Sequence, residues 1–139
     1  MRVILDTNVL LGALISQRGP SDMIYRAWRT ARFDLVTSAA QLDELRRVSR
    51  YPKLRSILPA HRVGTMMNNM RRAVVLDVLP SLPNGMATSD PDDVFLLVMV
   101  LASAADYLVT GDHHAGLLQR GRVGRTQIVT PVTFCSEAL

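Results

Sequence analysis

The residues of this chain best suited to chemistry are its acids, and there are only twelve among 139 residues. Several stand where an ordinary surface acid would not. Asp6 closes the apolar run Val3-Ile4-Leu5 and is followed by Thr7, Asn8 and a second apolar run, Val9-Leu10-Leu11. Glu44 falls in the first turns of a helix expected after Ser38. Asp90, Asp92 and Asp93 crowd the start of a long apolar helix, and Asp112 ends the segment Val109-Thr110-Gly111-Asp112. Carboxylates gathered in one place repel, and one of them would be driven to hold a proton. A divalent cation removes that penalty. Oxygen donors with no cysteine or histidine cluster select a hard ion, Mg²⁺ or Mn²⁺. Such an ion keeps waters, accepts phosphate oxygens and lowers the pKa of a water that can attack a phosphodiester.

Each acid has a plainer role available. Asp6 or Asn8 is a good N-cap type for the helix that follows. Asp90, before Pro91, reads first as an N-cap, and Asp92 in the first turn favours the helix dipole. Asp93 heads the face that carries Leu97, Val100, Leu101 and Ala104, so it points towards the core side. Glu44 lies one turn before Val48, nearer the apolar face than Asp43. For these two a ligand role is favoured. Asp112 can cap a helix or hold an ion, and Gly111 beside it lets backbone approach closely. His113 and His114 are adjacent, point apart on a helix, and read as a solvated pair. His61 reads as a surface residue. Cys135 is the only cysteine, which suits a small core residue in a reducing compartment.

The elements that must position these acids alternate. Strands are expected at residues 2–5, 33–37, 73–78, 106–110 and 127–130. Helices are expected at 8–15, from Pro20 or Ser21, from Ser38, at 53–58, 60–72 and 91–105, and after Pro131, which suits a first helical position. Ser38 with Gln41 reads as a capping box. Pro80 to Ser89 reads as a loop. Five strands alternating with helices argue an α/β fold, with a parallel sheet covered on both faces. In that architecture Asp6, Glu44, Asp93 and Asp112 all lie towards one edge of the sheet, where four distant carboxylates can converge.

The composition, 48% hydrophobic and 20% charged, is globular rather than disordered. The length suits one domain over 1–139. Only three apolar residues separate Arg2 from Asp6, too few for a signal segment, and no run is long enough to span a membrane. A soluble, cytoplasmic protein is expected. The net charge is +4, and its distribution matters more than its size. Between Leu45 and Leu76 there is no acid, while Arg46, Arg47, Arg50, Lys53, Arg55, Arg62, Arg71 and Arg72 all lie there. A one-signed patch of this kind draws polyanions. Met66, Met67 and Met70 with Val63 form an apolar stripe suited to core packing or to a homodimer.

Taken together, VILDTNVLL at 3–11, Ser38 to Val48 with Glu44, DPDDVFLLVMVLASAADYLVTGD at 90–112 and QIVTP at 127–131 resemble the PIN domain nucleases, almost end to end and in the family's order. Within that family the chain is similar to the toxins of type II toxin–antitoxin pairs. The resemblance implies a three-layer α/β/α sandwich and a Mg²⁺- or Mn²⁺-dependent ribonuclease acting on single-stranded RNA. It places the acidic set on Asp6, Glu44, Asp93 and Asp112, with Asn8 and Thr110 steadying the site and a cognate antitoxin as partner; Asp90, read from its position as an N-cap, is a supporting residue. Arg46, Arg47, Arg50, Lys53 and Arg55 would then guide the RNA. Two other readings remain. A phosphatase of the haloacid-dehalogenase type also opens on a strand ending in Asp, but needs a second acid two residues on, where this chain has Asn8. A non-catalytic RNA- or partner-binding module would keep the basic patch and leave the acids silent.

Overall fold

A computed structural model describes residues 1–77, 94–111 and 116–139. The expected loop at 80–89, the first residues of the apolar helix, and Asp90, Asp92, Asp93, Asp112, His113 and His114 lie outside the described residues. The element order is β1 (Arg2–Leu5), α1 (Thr7–Ile15), α2 (Pro20–Arg29), β2 (Asp34–Ser38), α3 (Ala39–Ser49), α4 (Pro52–Arg55) and α5 (Ala60–Met70). It continues with β3 (Val74–Leu76), α6 (Val94–Ser103), β4 (Tyr107–Val109), α7 (Leu117–Arg120), β5 (Arg122–Val123), β6 (Thr126–Val129) and α8 (Pro131–Ala138).

The strands form one sheet in the order β3-β2-β1-β4-β6-β5. Every neighbouring pair is parallel except β5 with β6, which is antiparallel. Among the described residues the sheet therefore has six strands where five were expected. The extra one is Arg122–Val123, flanked by Gly121 at φ 69 and Gly124 at φ 57. Two residues are too short to show an alternating pattern, so β5 is defined only by its pairing with β6.

Side chains alternate across the pleat, and the sheet has a core on each side. Val3, Leu5, Leu35 and Val109 face one way, onto Val9, Leu10, Ile24, Leu45, Met66, Met70 and Phe134 of α1, α2, α3, α5 and α8. Ile4, Val36, Leu108 and Ile128 face the other way, onto Leu96, Leu97, Met99 and Val100 of α6 and onto Leu117 of α7. This is the expected three-layer sandwich. Because α6 lies against the sheet and is apolar around most of its circumference, Leu96 to Val100 are all buried. The methionines of α5 also face inward, with Met66, Met67 and Met70 between 0% and 6% exposed. These three belong to the core, while Val63 of the same stripe is half-buried. Cys135 is half-buried on α8, and burial pushes its thiol pKa up. Among the described residues no helix is long and apolar enough to cross a membrane.

Candidate active site

β1 is central, with β2 on one side and β4 on the other. The chain leaves β1 for β2 through α1 and α2, and reaches β4 only much later. The gap between the carboxyl ends of β1 and β4 is therefore a point where the winding direction switches, the usual ligand crevice of such sheets. Two backbone bonds extend the ladders past the strands. Asp6 N donates to Val109 O at 2.9 Å, and Thr110 N donates to Val129 O at 3.0 Å. They set Asp6 and Thr110 side by side at that edge.

Asp6 stands at the N-cap position of α1, yet its side chain makes no capping hydrogen bond. The carboxylate is directed elsewhere: Thr110 Oγ1 donates to Asp6 Oδ2 at 2.6 Å, joining residues 104 apart in sequence. Asp6 is 8% exposed and Thr110 is fully buried. A charged carboxylate this far from water needs strong compensation. Asn8 does not cap either. It lies inside α1, and its Oδ1 accepts from Gly111 N at 3.3 Å, which pins the segment after β4 to the start of α1.

Glu44 reaches the same place from α3. Thr7 Oγ1 donates to Glu44 Oε2 at 2.9 Å, so the second carboxylate is held by the residue that follows the first. The helix is aimed by Gln41, one turn before Glu44. Ser38 Oγ accepts from Gln41 N at 3.1 Å, as a capping box requires. The reciprocal half of the box does not form. The Gln41 side chain is fully buried; its Nε2 donates to Leu5 O at 2.6 Å and its Oε1 accepts from Thr37 Oγ1, also at 2.6 Å. Both ends of the amide are satisfied by the carboxyl ends of β1 and β2, which draws the side chain away from the Ser38 backbone.

Of the four expected acids, then, Asp6 and Glu44 are linked through Thr7, which follows Asp6 and donates to Glu44, while Asp93 and Asp112 lie outside the described residues. Among the described residues no three His, Cys, Asp or Glu side chains gather into a metal-holding group. The pair still fits a hard cation. Thr110 and Thr7 donate neutral hydroxyls, which orient each carboxylate without neutralising its charge, and all the donors are oxygen. Thr7 and Gln41 are site residues that reading along the chain did not single out. Thr7 was readable as one of the polar trio between two apolar runs; Gln41 carried only its capping signal.

The basic residues divide. Arg46, Arg50 and Arg55, with Arg71, line an open groove of about 710 Å³ between α3, α4 and α5, floored by Leu58, Val63 and Met67. Arg47 and Lys53 do not line it, and neither Asp6 nor Glu44 borders it.

Fold and edge site together define a three-layer α/β protein with a carboxylate centre at its topological switch point. The sequence profile of the PIN domain matches residues 2–114, and the chain belongs to that family. PIN domains are generally nucleases and typically use divalent metals. No curated protein matches the chain closely enough to count as a relative.

Proposed function

We propose that this chain is a Mg²⁺- or Mn²⁺-dependent endoribonuclease that hydrolyses phosphodiester bonds of single-stranded RNA in the cytoplasm, and that it is the toxin of a type II toxin–antitoxin pair. The observation that carries the catalytic reading is the buried Asp6 carboxylate, held by Thr110 at the carboxyl end of the central strand with Glu44 anchored one residue away. Asp6 and Glu44, with Asp93 and Asp112 from the sequence, would hold the cation, and Asp90 would support Asp93. When bound, the ion neutralises phosphate charge and lowers the pKa of the attacking water. The chain's own groups fix the geometry. Thr110 and Thr7 hold the two carboxylates in place, and Asn8 fixes the Gly111 backbone. Hydrolysis places the water oxygen on phosphorus, breaks one P–O bond and leaves the proton on the departing ribose oxygen. The toxin role rests on the similarity of the LDTNVLL and ADYLVTGD segments to such toxins.

The test is cleavage of a mixed single-stranded RNA pool under Mn²⁺, with products sequenced. Wild type cuts, EDTA stops it, and Asp6→Asn loses at least about a thousandfold in rate while keeping its fold. Cleavage that survives both EDTA and Asp6→Asn overturns the reading. Binding with a steep salt slope and no turnover would instead mark a silent RNA-binding module. For the toxin role, expression should arrest growth, and a small neighbouring open reading frame should relieve it.

A further inference from the structure

The groove between α3, α4 and α5 is placed where a simple extension of the cleavage site would not be. Arg46 and Ser49 on α3, with Arg50 at its C-cap, line it. At 100° per residue these three centre about 170° around the helix from Glu44. Glu44 turns towards Thr7 on α1, whereas the groove side turns towards α5. The helix therefore stands between the carboxylates and the groove. The other wall comes from α5, where Ala60, Val63, Gly64, Met67, Asn68 and Arg71 recur at helical spacing along one face. A Cβ at Gly64 would meet nothing within 4 Å, so the wall is open there.

The charge of the groove is as distinctive as its position. Arg46 and Arg50 stand on one wall, Arg55 on α4 and Arg71 on the other wall, all four exposed. Arg46 shares its charge with Asp43 at 3.6 Å. Arg50, Arg55 and Arg71 form no ion pair among the described residues, and residues 46–76 contain no acid at all. Guanidinium groups on both rims match a ligand that carries a charge at every repeat. Their planar forks suit phosphate oxygens. Between the rims the floor is apolar, with Val63 half-buried and Leu58 and Met67 buried beneath it, so the charges on the rims carry the recognition.

We infer that the α3–α4–α5 groove is an exosite for single-stranded RNA, in which Arg50, Arg55 and Arg71 hold the phosphates of a stretch of substrate remote from the cut. It deepens the ribonuclease reading and rests on it for the substrate. RNA held there must cross α3 to reach Asp6 and Glu44. The groove therefore sets how tightly a long RNA binds and leaves the chemical step alone.

The experiment measures binding rather than turnover, so that it reads even if the protein proves not to cleave. Fluorescent single-stranded RNAs of about 20 and about 4 nucleotides are titrated by anisotropy onto Asp6→Asn protein without divalent ions, at several salt concentrations. Combined Arg50→Ala, Arg55→Ala and Arg71→Ala should weaken the long RNA about tenfold or more. The salt slope should fall by about 2, at about 0.7 for each phosphate that is no longer neutralised. The short RNA should be weakened much less. Arg71→Ala alone should cost several-fold, and Arg71→Lys should recover most of it. Arg47→Ala, in the same charge run but off the groove, should cost about twofold or less through the long-range field. If Arg71→Ala and Arg47→Ala weaken binding equally, the groove is no site and the inference falls. It also falls if the triple variant keeps RNA binding but fails to bind an acidic amphipathic peptide that the parent binds, which would make the groove a polypeptide dock. In wild type with Mn²⁺, the triple variant should raise KM for long RNA and leave kcat within about twofold; a matching fall in kcat would place these arginines at the cut instead.

Discussion

The carboxylates are the visible half of the site, but the threonines decide where they point. Asp6 has the residue type and the backbone position of an N-cap, and sequence reasoning alone leaves that role open. It is Thr110, 104 residues away, that claims the carboxylate. Thr7 does the same for Glu44. Thr7→Val should leave the fold intact and loosen Glu44. The rate should then need about tenfold more Mg²⁺ to reach half its maximum, and Thr7→Ser should restore the wild-type requirement. An unchanged Mg²⁺ dependence would show that Thr7 does not position a metal ligand. The place of Asp6 at the end of β1 was legible because an apolar run that stops on a carboxylate stands out in the sequence. Of the partners of the two carboxylates, Thr110 was named through the family resemblance and Thr7 was not, since each has an ordinary local role beside a strand or helix, and nothing in a single sequence shows which distant group a hydroxyl faces.

At the level of elements, α3 is fixed over the sheet by one buried amide. Gln41 binds the last carbonyl of β1 and the Thr37 hydroxyl of β2 at once. Gln41→Leu keeps the size but leaves both partners buried and unpaired. That should cost about 3 kcal/mol, visible as a melting temperature lower by about 10 °C. Loss of catalytic rate should exceed what the unfolded fraction explains, because Glu44 rides on the same helix. A melting point within a degree or two of wild type would mean that water takes over both bonds. The strand and helix order was readable because punctuation and apolar periodicity agree along most of the chain. The N-cap half of the Ser38–Gln41 box was readable for the same local reason. The side chain's true partners lie on β1 and β2, and β5 exists only as a partner of β6. Both are pairings across the fold, which a local pattern does not encode.

For the molecule as a whole, the edge of the sheet opposite the site is clamped by Asp106. Its Oδ2 accepts from Arg2 N at 2.8 Å and its Oδ1 from Arg125 at 2.6 Å, so the start of β1, the start of β4 and the β5–β6 turn meet on one carboxylate. The Arg2 backbone N–H and the Arg125 guanidinium hold its pKa below the usual value of 3.8, against a smaller desolvation effect that raises it. A depressed carboxyl pKa means that the stabilisation is present above the unfolded value and is lost as pH falls through the folded one. Asp106→Asn should therefore be less stable than wild type near neutrality, by about 1 kcal/mol, and the two melting curves should converge as the pH falls through and below the depressed pKa of Asp106. A gap that persists in acid would assign the loss to packing rather than charge. The central place of β1 also bears on timing. β1 precedes both of its partners in the chain, pairing with β2 and with β4, and the hydroxyl bound to Asp6 is on Thr110. Contacts of such long range close late. The Asp6 carboxylate is thus made 104 residues before the Thr110 hydroxyl that it accepts from. A fragment that stops before β4 keeps Asp6 but lacks both the β1–β4 pairing and the hydroxyl that fix its carboxylate at the sheet edge.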